Sequence, residues 1–155
     1  MDPVPRIPVM RLEPANLHTD GEICHEREIL LRIVGDFTLW VRDEQICKEA
    51  GFCLVELAVE LAAWVNATDM GLDFLYTSTQ SEAARLVRFT NCSPGNWRIS
   101  AGRQMAAGSV TTDELKAAAL AYIRELYALL QPDLDLLKWI EDPEESAVLR
   151  QALAP

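Results

Sequence analysis

The sequence predicts an α+β domain: a mostly antiparallel sheet with an amphipathic helix packed on it and a helical C-terminal region. Two observations predict this class. Hydrophobic residues alternate with a period of two in several short segments, and they adopt helical spacing over residues 51–67 and again after residue 111. The chain has 155 residues, of which 50% are hydrophobic, as is typical of one folded domain. We therefore treat residues 1–155 as a single domain with a helical subregion over about 111–155.

The N-terminal segment is predicted to be extended. Pro3, Pro5, Pro8 and Pro14 each lack an amide donor, so this stretch is suited at best to the edge of a sheet. Residues 16–22 have the composition of a loop.

A hairpin is predicted next, because residues 28–34 and 37–41 both alternate. Gly35-Asp36 lies between them and has the composition of a two-residue turn. A second turn at Asp43-Glu44 is expected to lead into a short strand at residues 45–47.

Residues 51–67 then change to a helical period. One face consists of apolar side chains, namely Leu54, Leu57, Ala58, Leu61 and Val65. Glu56 and Glu60 lie off that face, four residues apart. Such a pair is compatible with general acid–base chemistry, but it is far more often a solvated face.

Strands are predicted again in the middle of the chain. Leu72, Phe74 and Tyr76 restore the period of two, and residues 85–89 and 97–100 are predicted to form a hairpin. Residues 83–112 contain no acidic side chain and carry four arginines, Arg85, Arg88, Arg98 and Arg103. This arginine group is compatible with binding phosphate or RNA. On a hairpin, however, Arg88 and Arg98 are also explained as outward residues paired with nearby acids, and the net charge favours this second interpretation.

The C-terminal third is predicted to be helical. Thr111 and Glu114 form a capping box. An apolar stripe follows and ends before Pro132; it consists of Leu115, Ala119, Tyr122, Leu126 and Leu129. A short helix is expected from Asp133 to Ile140, and Asp142-Pro143 begins another.

The formal net charge is −10, from 24 acidic and 14 basic residues. Residues 111–155 hold nine acids and four bases, so a net charge of −5 lies in this region alone. Nucleic acid and anionic membranes are disfavoured as partners, because binding to them relies on lysine and arginine. A basic protein is the partner that such a charge suits, since complementary fields accelerate encounter.

The densest acidic block is the candidate partner-binding site. It combines carboxylates with one aromatic anchor, and its members are Asp133, Asp135, Trp139, Glu141, Asp142, Glu144 and Glu145. Asp133, Asp142, Glu144 and Glu145 are also explained as helix-start residues, where negative charge is favourable by about 0.3–1 kcal/mol each. Both roles are compatible with one another.

No catalytic, metal or cofactor site is predicted. The two histidines, His18 and His25, lack a metal-ligand or nucleophile motif, and Cys24-His25 would point to opposite faces of a strand. The N-terminus does not resemble a signal peptide, and no apolar run reaches bilayer length. We expect a cytoplasmic protein whose four cysteines are reduced and mostly buried.

A family resemblance is carried by four segments: Gly35-Asp-Phe-Thr-Leu-Trp-Val-Arg, residues 49–64, Leu72-Asp-Phe-Leu-Tyr and Gly95-Asn-Trp-Arg-Ile-Ser. Their succession over residues 28–100 resembles small bacterial proteins of toxin–immunity systems, including polymorphic toxin and contact-dependent inhibition systems. The resemblance implies a non-enzymatic immunity protein that occludes the active site of a cognate toxin, such as a basic nuclease. It transfers no binding residues, and the acidic C-terminal region lies outside it.

Two alternatives stay open. One is a ligand-binding or adaptor module in secretion or regulation, with a pocket lined by the tryptophans Trp40, Trp64, Trp97 and Trp139. The other is an enzyme with an unrecognised site, for which a deep polar cleft around His18, His25 or Cys92 would be expected.

Overall fold

The computed structural model describes residues 8–19, 21, 32–67, 71–77, 86–131 and 143–154. Within them the chain forms eight strands and three helices. The strands are β1 (Met10–Thr19), β2 (Ile33–Val41), β3 (Glu44–Cys53), β4 (Phe74–Thr77), β5 (Leu86–Ser93), β6 (Asn96–Ala101), β7 (Gln104–Met105) and β8 (Val110–Thr111). The helices are α1 (Leu54–Ala67), α2 (Thr112–Leu130) and α3 (Pro143–Leu153). The α+β class is confirmed.

The strands divide between two antiparallel sheets. One has the order β1-β2-β3, and the other has the order β4-β5-β6-β7 with β8 also paired to β6. The sheets approach each other where β3 contacts β6 and β7.

Helix α1 lies at the centre of the fold. It contacts β2, β4 and both other helices, and it is buried on more than the one face that its sequence period predicted: Val55, Val59 and Ala62 are buried as well. Helix α2 covers β1, and α3 packs against α1 and α2.

Aromatic side chains fill the space between α1 and the five-stranded sheet. Trp64 contacts Trp97 edge to face with ring centroids 5.2 Å apart, and Phe74 stacks on Phe89 at 4.8 Å. Such pairs add about 0.5–1.5 kcal/mol beyond the area that they bury. The Trp64 indole donates to the Leu72 carbonyl oxygen at 2.9 Å, so a polar group in this core is satisfied.

The predicted turn at Gly35-Asp36 is wrong. Both residues lie inside β2, and Gly35 pairs with Phe52 of β3. A Cβ atom on Gly35 would lie 2.6 Å from the Ala15 carbonyl oxygen and 2.9 Å from Leu54 Cδ1. The absence of a side chain at Gly35 therefore allows β1 and α1 to approach β2 closely. In the sequence alone, a glycine that is needed for such close packing has the same appearance as a turn glycine.

The hairpin turn lies at Arg42-Asp43, close to the second predicted turn. Arg42 adopts a left-handed conformation with φ 53°, and the strand that follows extends to Cys53 instead of ending at Cys47. Helix α1 consequently begins at Leu54, three residues after the predicted start at Gly51.

An N-terminal edge strand is confirmed over Met10–Thr19, so it continues beyond Pro14, where the prediction ended. Pro3 and Pro5 lie outside the described residues. The loop expected over 16–22 is strand as far as Thr19, because a bulge at Asn16, with φ 52°, lets His18 and Thr19 resume pairing with β2.

Several other predictions are confirmed: the strand at Tyr76, the β5–β6 hairpin, and the starts of α2 and α3. In the capping box, the Glu114 amide donates to Thr111 Oγ1 at 3.2 Å, and the Thr111 amide donates to Glu114 Oε1 at 2.9 Å. One stripe residue departs from the prediction, since Leu129 is 49% exposed and Leu130 is buried in its place. The helix expected over 133–140 lies outside the described residues.

Candidate functional site: an acidic groove beside an edge strand

A concavity of about 650 Å³ runs between β1 and α2. One wall is the continuous segment 8–15, and the other is one face of α2. The lining residues are Pro8, Val9, Met10, Arg11, Leu12, Glu13, Pro14, Ala15, Thr38, Glu114, Ala117, Ala118, Ala121 and Glu125. We call this feature the β1–α2 groove.

The groove exists because of how the two elements are built. Among the described strands, β1 pairs with β2 alone, and consecutive residues along β1 line the groove. Met10 and Leu12 turn inward and are buried, which fixes β1 against the core. Ala117 and Ala121 expose only methyl groups on the facing helix, and these small side chains leave space between the helix and the strand edge.

Three carboxylates line the groove. Glu13 lies on β1, and Glu114 and Glu125 lie near the two ends of the α2 wall. Partial burial raises the pKa of Glu125, and the nearby Glu13 carboxylate raises it further. The groove thus concentrates negative charge that its own residues do not fully neutralise.

Arg11 is the basic residue of the lining. Its Nη1 lies 3.1 Å from Glu13 Oε1, and its guanidinium lies 5.3 Å from the centre of the Trp40 ring. Arg11 Nε is buried and has no hydrogen-bond partner among the described residues. The wall therefore offers one unused donor beside its carboxylates.

A second cluster involves the glutamates that the sequence singled out. The Tyr76 hydroxyl donates to Glu56 Oε1 at 2.9 Å. Burial raises the pKa of Glu60, and the Glu56 carboxylate raises it further. Glu56 is thus a half-buried hydrogen-bond acceptor that connects α1 to β4, whereas the Glu60 side chain is largely exposed. Among the described residues, no nucleophile motif lies beside these two glutamates.

The acidic block predicted as a binding site is only partly described. Asp133, Asp135, Trp139, Glu141 and Asp142 lie outside the described residues. Glu144 and Glu145 lie in the first turn of α3, where their charge is favourable to the helix dipole. The position of these two agrees with the helix-start interpretation.

The prediction of a ligand pocket lined by tryptophans is wrong for Trp64 and Trp97. Trp64 and Trp97 are core residues with exposed fractions of 7% and 1%, so they are unavailable to a ligand. Trp40 is half-exposed beside Arg11, and Trp139 lies outside the described residues.

The cysteine and histidine side chains of the described residues do not come together in a catalytic arrangement. Cys53 is buried, Cys47 is half-buried and Cys92 is exposed, so the expectation of mostly buried thiols does not hold for Cys92. His18 is exposed on β1, with Nδ1 3.0 Å from the Asn16 carbonyl oxygen. Cys24 and His25 lie outside the described residues.

The described residues form neither a cluster suited to a metal ion nor a helix suited to crossing a membrane. No group of three or more histidine, cysteine, aspartate or glutamate side chains is arranged to hold a metal ion. None of the described helices combines the length and the apolar character that crossing a bilayer requires.

Sequence reasoning missed the β1–α2 groove. Glu13 is about a hundred residues from Glu114 and Glu125 along the chain, so no local motif joins them. A partial signal was present in α2, where Ala117, Ala118 and Ala121 form a small-residue face between two glutamates.

Comparison with known proteins gives one match. Residues 15–132 match the model of a family described as Domain of unknown function (DUF7878), which extends from β1 through the end of α2 and leaves α3 outside. No curated protein and no solved structure matches the chain. Because the family model covers more than half of the sequence, the chain belongs to the DUF7878 family.

Proposed function

We propose that this protein is a non-enzymatic immunity protein, which binds a basic segment of a cognate toxin in the β1–α2 groove and thereby occludes the toxin's active site. The single observation that carries the proposal is the groove itself, an apolar channel with three carboxylates beside a strand edge with which no described strand pairs. The resemblance of residues 28–100 to toxin–immunity proteins supplies the biological setting, and the proposed location is the cytoplasm.

The groove suits a basic ligand for an electrostatic reason. Glu125 and Glu13 repel each other, which is the second cause of the raised pKa of Glu125. A lysine or arginine placed between them would replace that repulsion with attraction in a partly desolvated site, where ion pairs are stronger than in bulk water. The net charge of −10 would also attract a basic domain from a distance.

The open edge of β1 suggests how the ligand binds. An extended segment can add a strand to a free sheet edge, so that main-chain hydrogen bonds provide affinity and alternate side chains provide specificity. Pro14 lacks an amide donor and limits that pairing to the part of β1 that precedes it. Side chains of the added strand would then lie over Ala117 and Ala121.

Inhibition follows from competition. A nuclease binds nucleic acid through a basic surface, and an acidic groove that occupies a basic segment of that surface excludes the substrate. This mechanism needs no chemistry from the inhibitor.

The experiment is co-expression with the product of the neighbouring gene, tested for toxicity, together with calorimetry on an inactivated form of that product. We expect Glu13→Gln/Glu125→Gln to weaken binding at least about tenfold, which corresponds to about 1.4 kcal/mol, and to reduce protection of the cells. The control Asp43→Asn/Glu44→Gln makes the same charge change at the exposed β2–β3 turn and should leave binding within twofold.

If both double variants weakened binding of the toxin domain equally, the affinity would depend on net charge alone, and the groove would not be part of the interface. Absence of any protection by the wild-type protein would overturn the immunity assignment. Amide hydrogen exchange then tests the binding mode, since strand addition requires new protection in β1 before Pro14.

A further inference from the structure

The outer face of the five-stranded sheet carries the opposite charge from the groove. Along β5 and β6, inward residues such as Phe89 and Ile99 are buried, whereas Arg88 and Arg98 point outward and are exposed. Arg88 pairs with Ser100, and Arg98 pairs with Thr90. The two arginines are therefore diagonal neighbours, which lie about 7–8 Å apart in a regular antiparallel sheet.

These arginines are not neutralised by the part of the chain that is described. Neither the Arg88 nor the Arg98 side chain forms an ion pair or hydrogen bond with a described residue, although the backbones of both residues are paired within the sheet. Outward positions were expected from the sequence, and they are confirmed. The expected pairing with nearby acids is not found among the described residues.

Two exposed apolar side chains flank the arginines. Leu75 of β4 pairs with Arg88, and Met105 of β7 pairs with Ser100. The exposed fractions of Leu75 and Met105 are 50% and 54%. Four directly paired residues thus form a row across four strands, in the order Leu75, Arg88, Ser100 and Met105.

We propose that this row binds an acidic, extended segment of a partner protein, with a carboxylate on Arg88 and an apolar side chain on each flank. Adjacent strands are about 4.8 Å apart, so the row spans about 14 Å from Leu75 to Met105. In an extended segment lying across the strands, alternate side chains face the sheet at intervals of about 6.7 Å. An apolar–x–acidic–x–apolar pattern therefore places its ends over Leu75 and Met105 and its carboxylate between Arg88 and Ser100.

A short acidic segment suits this face better than the other anionic partners. Nucleic acid and anionic membranes present dense, extended negative charge, which the net charge of −10 repels at distances up to a Debye length of about 8–10 Å. Recognition of single-stranded nucleic acid also uses exposed aromatic stacking platforms, whereas Trp97 and Phe89 on these strands are buried. The flanking Leu75 and Met105 instead match apolar side chains of a peptide.

The probe is a fluorescein-labelled peptide containing Leu-Ser-Glu-Ser-Leu between neutral glycine–serine ends, titrated into the full-length protein at low salt and followed by anisotropy. We expect saturable binding that weakens at least fivefold when the peptide glutamate is changed to glutamine. Chemical-shift mapping should place the largest changes at Leu75, Arg88, Ser100 and Met105.

The variant Arg88→Gln/Arg98→Gln should weaken peptide binding at least tenfold. The control Lys48→Gln/Arg150→Gln removes the same charge elsewhere, at exposed positions of β3 and α3, and should leave binding within twofold. A second variant, Leu75→Ser/Met105→Ser, separates the apolar flanks from the charge and should weaken binding at least threefold. Far-ultraviolet circular dichroism establishes that each variant is folded.

Three results would overturn the proposal. One is peptide binding that is absent or unaffected by Arg88→Gln/Arg98→Gln. The second is preferential binding of a twelve-nucleotide single strand, and the third is co-sedimentation with phosphatidylserine vesicles in place of peptide binding. None of these measurements involves the β1–α2 groove, so their outcome is independent of the proposed immunity function.

Discussion

The hydroxyl of Tyr122 donates a hydrogen bond of 2.7 Å to the carbonyl oxygen of Leu54. Both residues are fully buried, and the bond joins the middle of α2 to the first residue of α1. Burial, with a smaller contribution from the Glu125 carboxylate, raises the pKa of Tyr122 well above its usual value, so the hydroxyl remains a donor at all physiological pH values. This contact fixes α2, and with it one wall of the groove, relative to the centre of the fold.

Tyr122→Phe should therefore destabilise the protein. The substitution removes this buried hydrogen bond, and a bond of this kind contributes about 0.5–1.5 kcal/mol net. Urea denaturation followed by fluorescence measures the free energy of unfolding. Leu129→Ala, at an exposed position of the same helix, should stay within about 0.5 kcal/mol of wild type; equal effects of the two substitutions would contradict the role of the bond.

Gly35→Ala should also destabilise the protein, although a methyl group in a strand is normally harmless. The new Cβ would meet the Ala15 carbonyl oxygen at 2.6 Å, and overpacking of this kind costs about 1–3 kcal/mol. Asp43→Ala in the true turn serves as the comparison and should be nearly neutral in thermal unfolding. A stable Gly35→Ala variant would show that β1 can shift away from β2 without cost.

Glu125→Gln tests the electrostatics of the groove through pH. Because the folded-state pKa of Glu125 is raised, the native state binds its proton more tightly than the unfolded state. The ionised form is thus disfavoured in the native state, and unfolding free energy falls as pH rises from the unfolded pKa through the folded one. Comparing wild type and variant from pH 4 to 7.5, we expect the variant to lose this decline and to gain relative stability at neutral pH. Parallel pH profiles would contradict the raised pKa of Glu125.

Charge reversal at Asp135 and Glu141 tests the acidic C-terminal block. Both positions are away from the predicted helix starts, so Asp135→Lys/Glu141→Lys should weaken binding to the cognate toxin while changing the unfolding temperature little. Unchanged affinity would remove the block from the interface and leave helix capping as the explanation of its charge.

Local patterns predicted those elements whose determinants are close together in the chain. The capping box of Thr111 and Glu114 is complete within one helical turn, and it marked the start of α2 correctly. The alternation around Tyr76 likewise located β4, because burial on one face of a strand imposes a period of two.

Prediction failed where distant segments meet. Gly35 and Asp36 carry the composition of a turn, yet contact with Ala15 and Leu54 explains the glycine. Asn16 has the composition of a loop, but pairing with β2 continues beyond its bulge. In both cases a tertiary contact outweighed the local preference.

By itself the sequence determined the net charge, its concentration after Thr111, the acid-free arginine stretch and the starts of α2 and α3. These properties depend on composition and on neighbours within a few residues. The tertiary structure alone decided that β1 pairs with β2, that Glu13 meets Glu125 across a groove, and that Leu75, Arg88, Ser100 and Met105 form one row. Each of these arrangements requires segments far apart in sequence to be brought together, and it is the packing of the whole core that selects which segments meet.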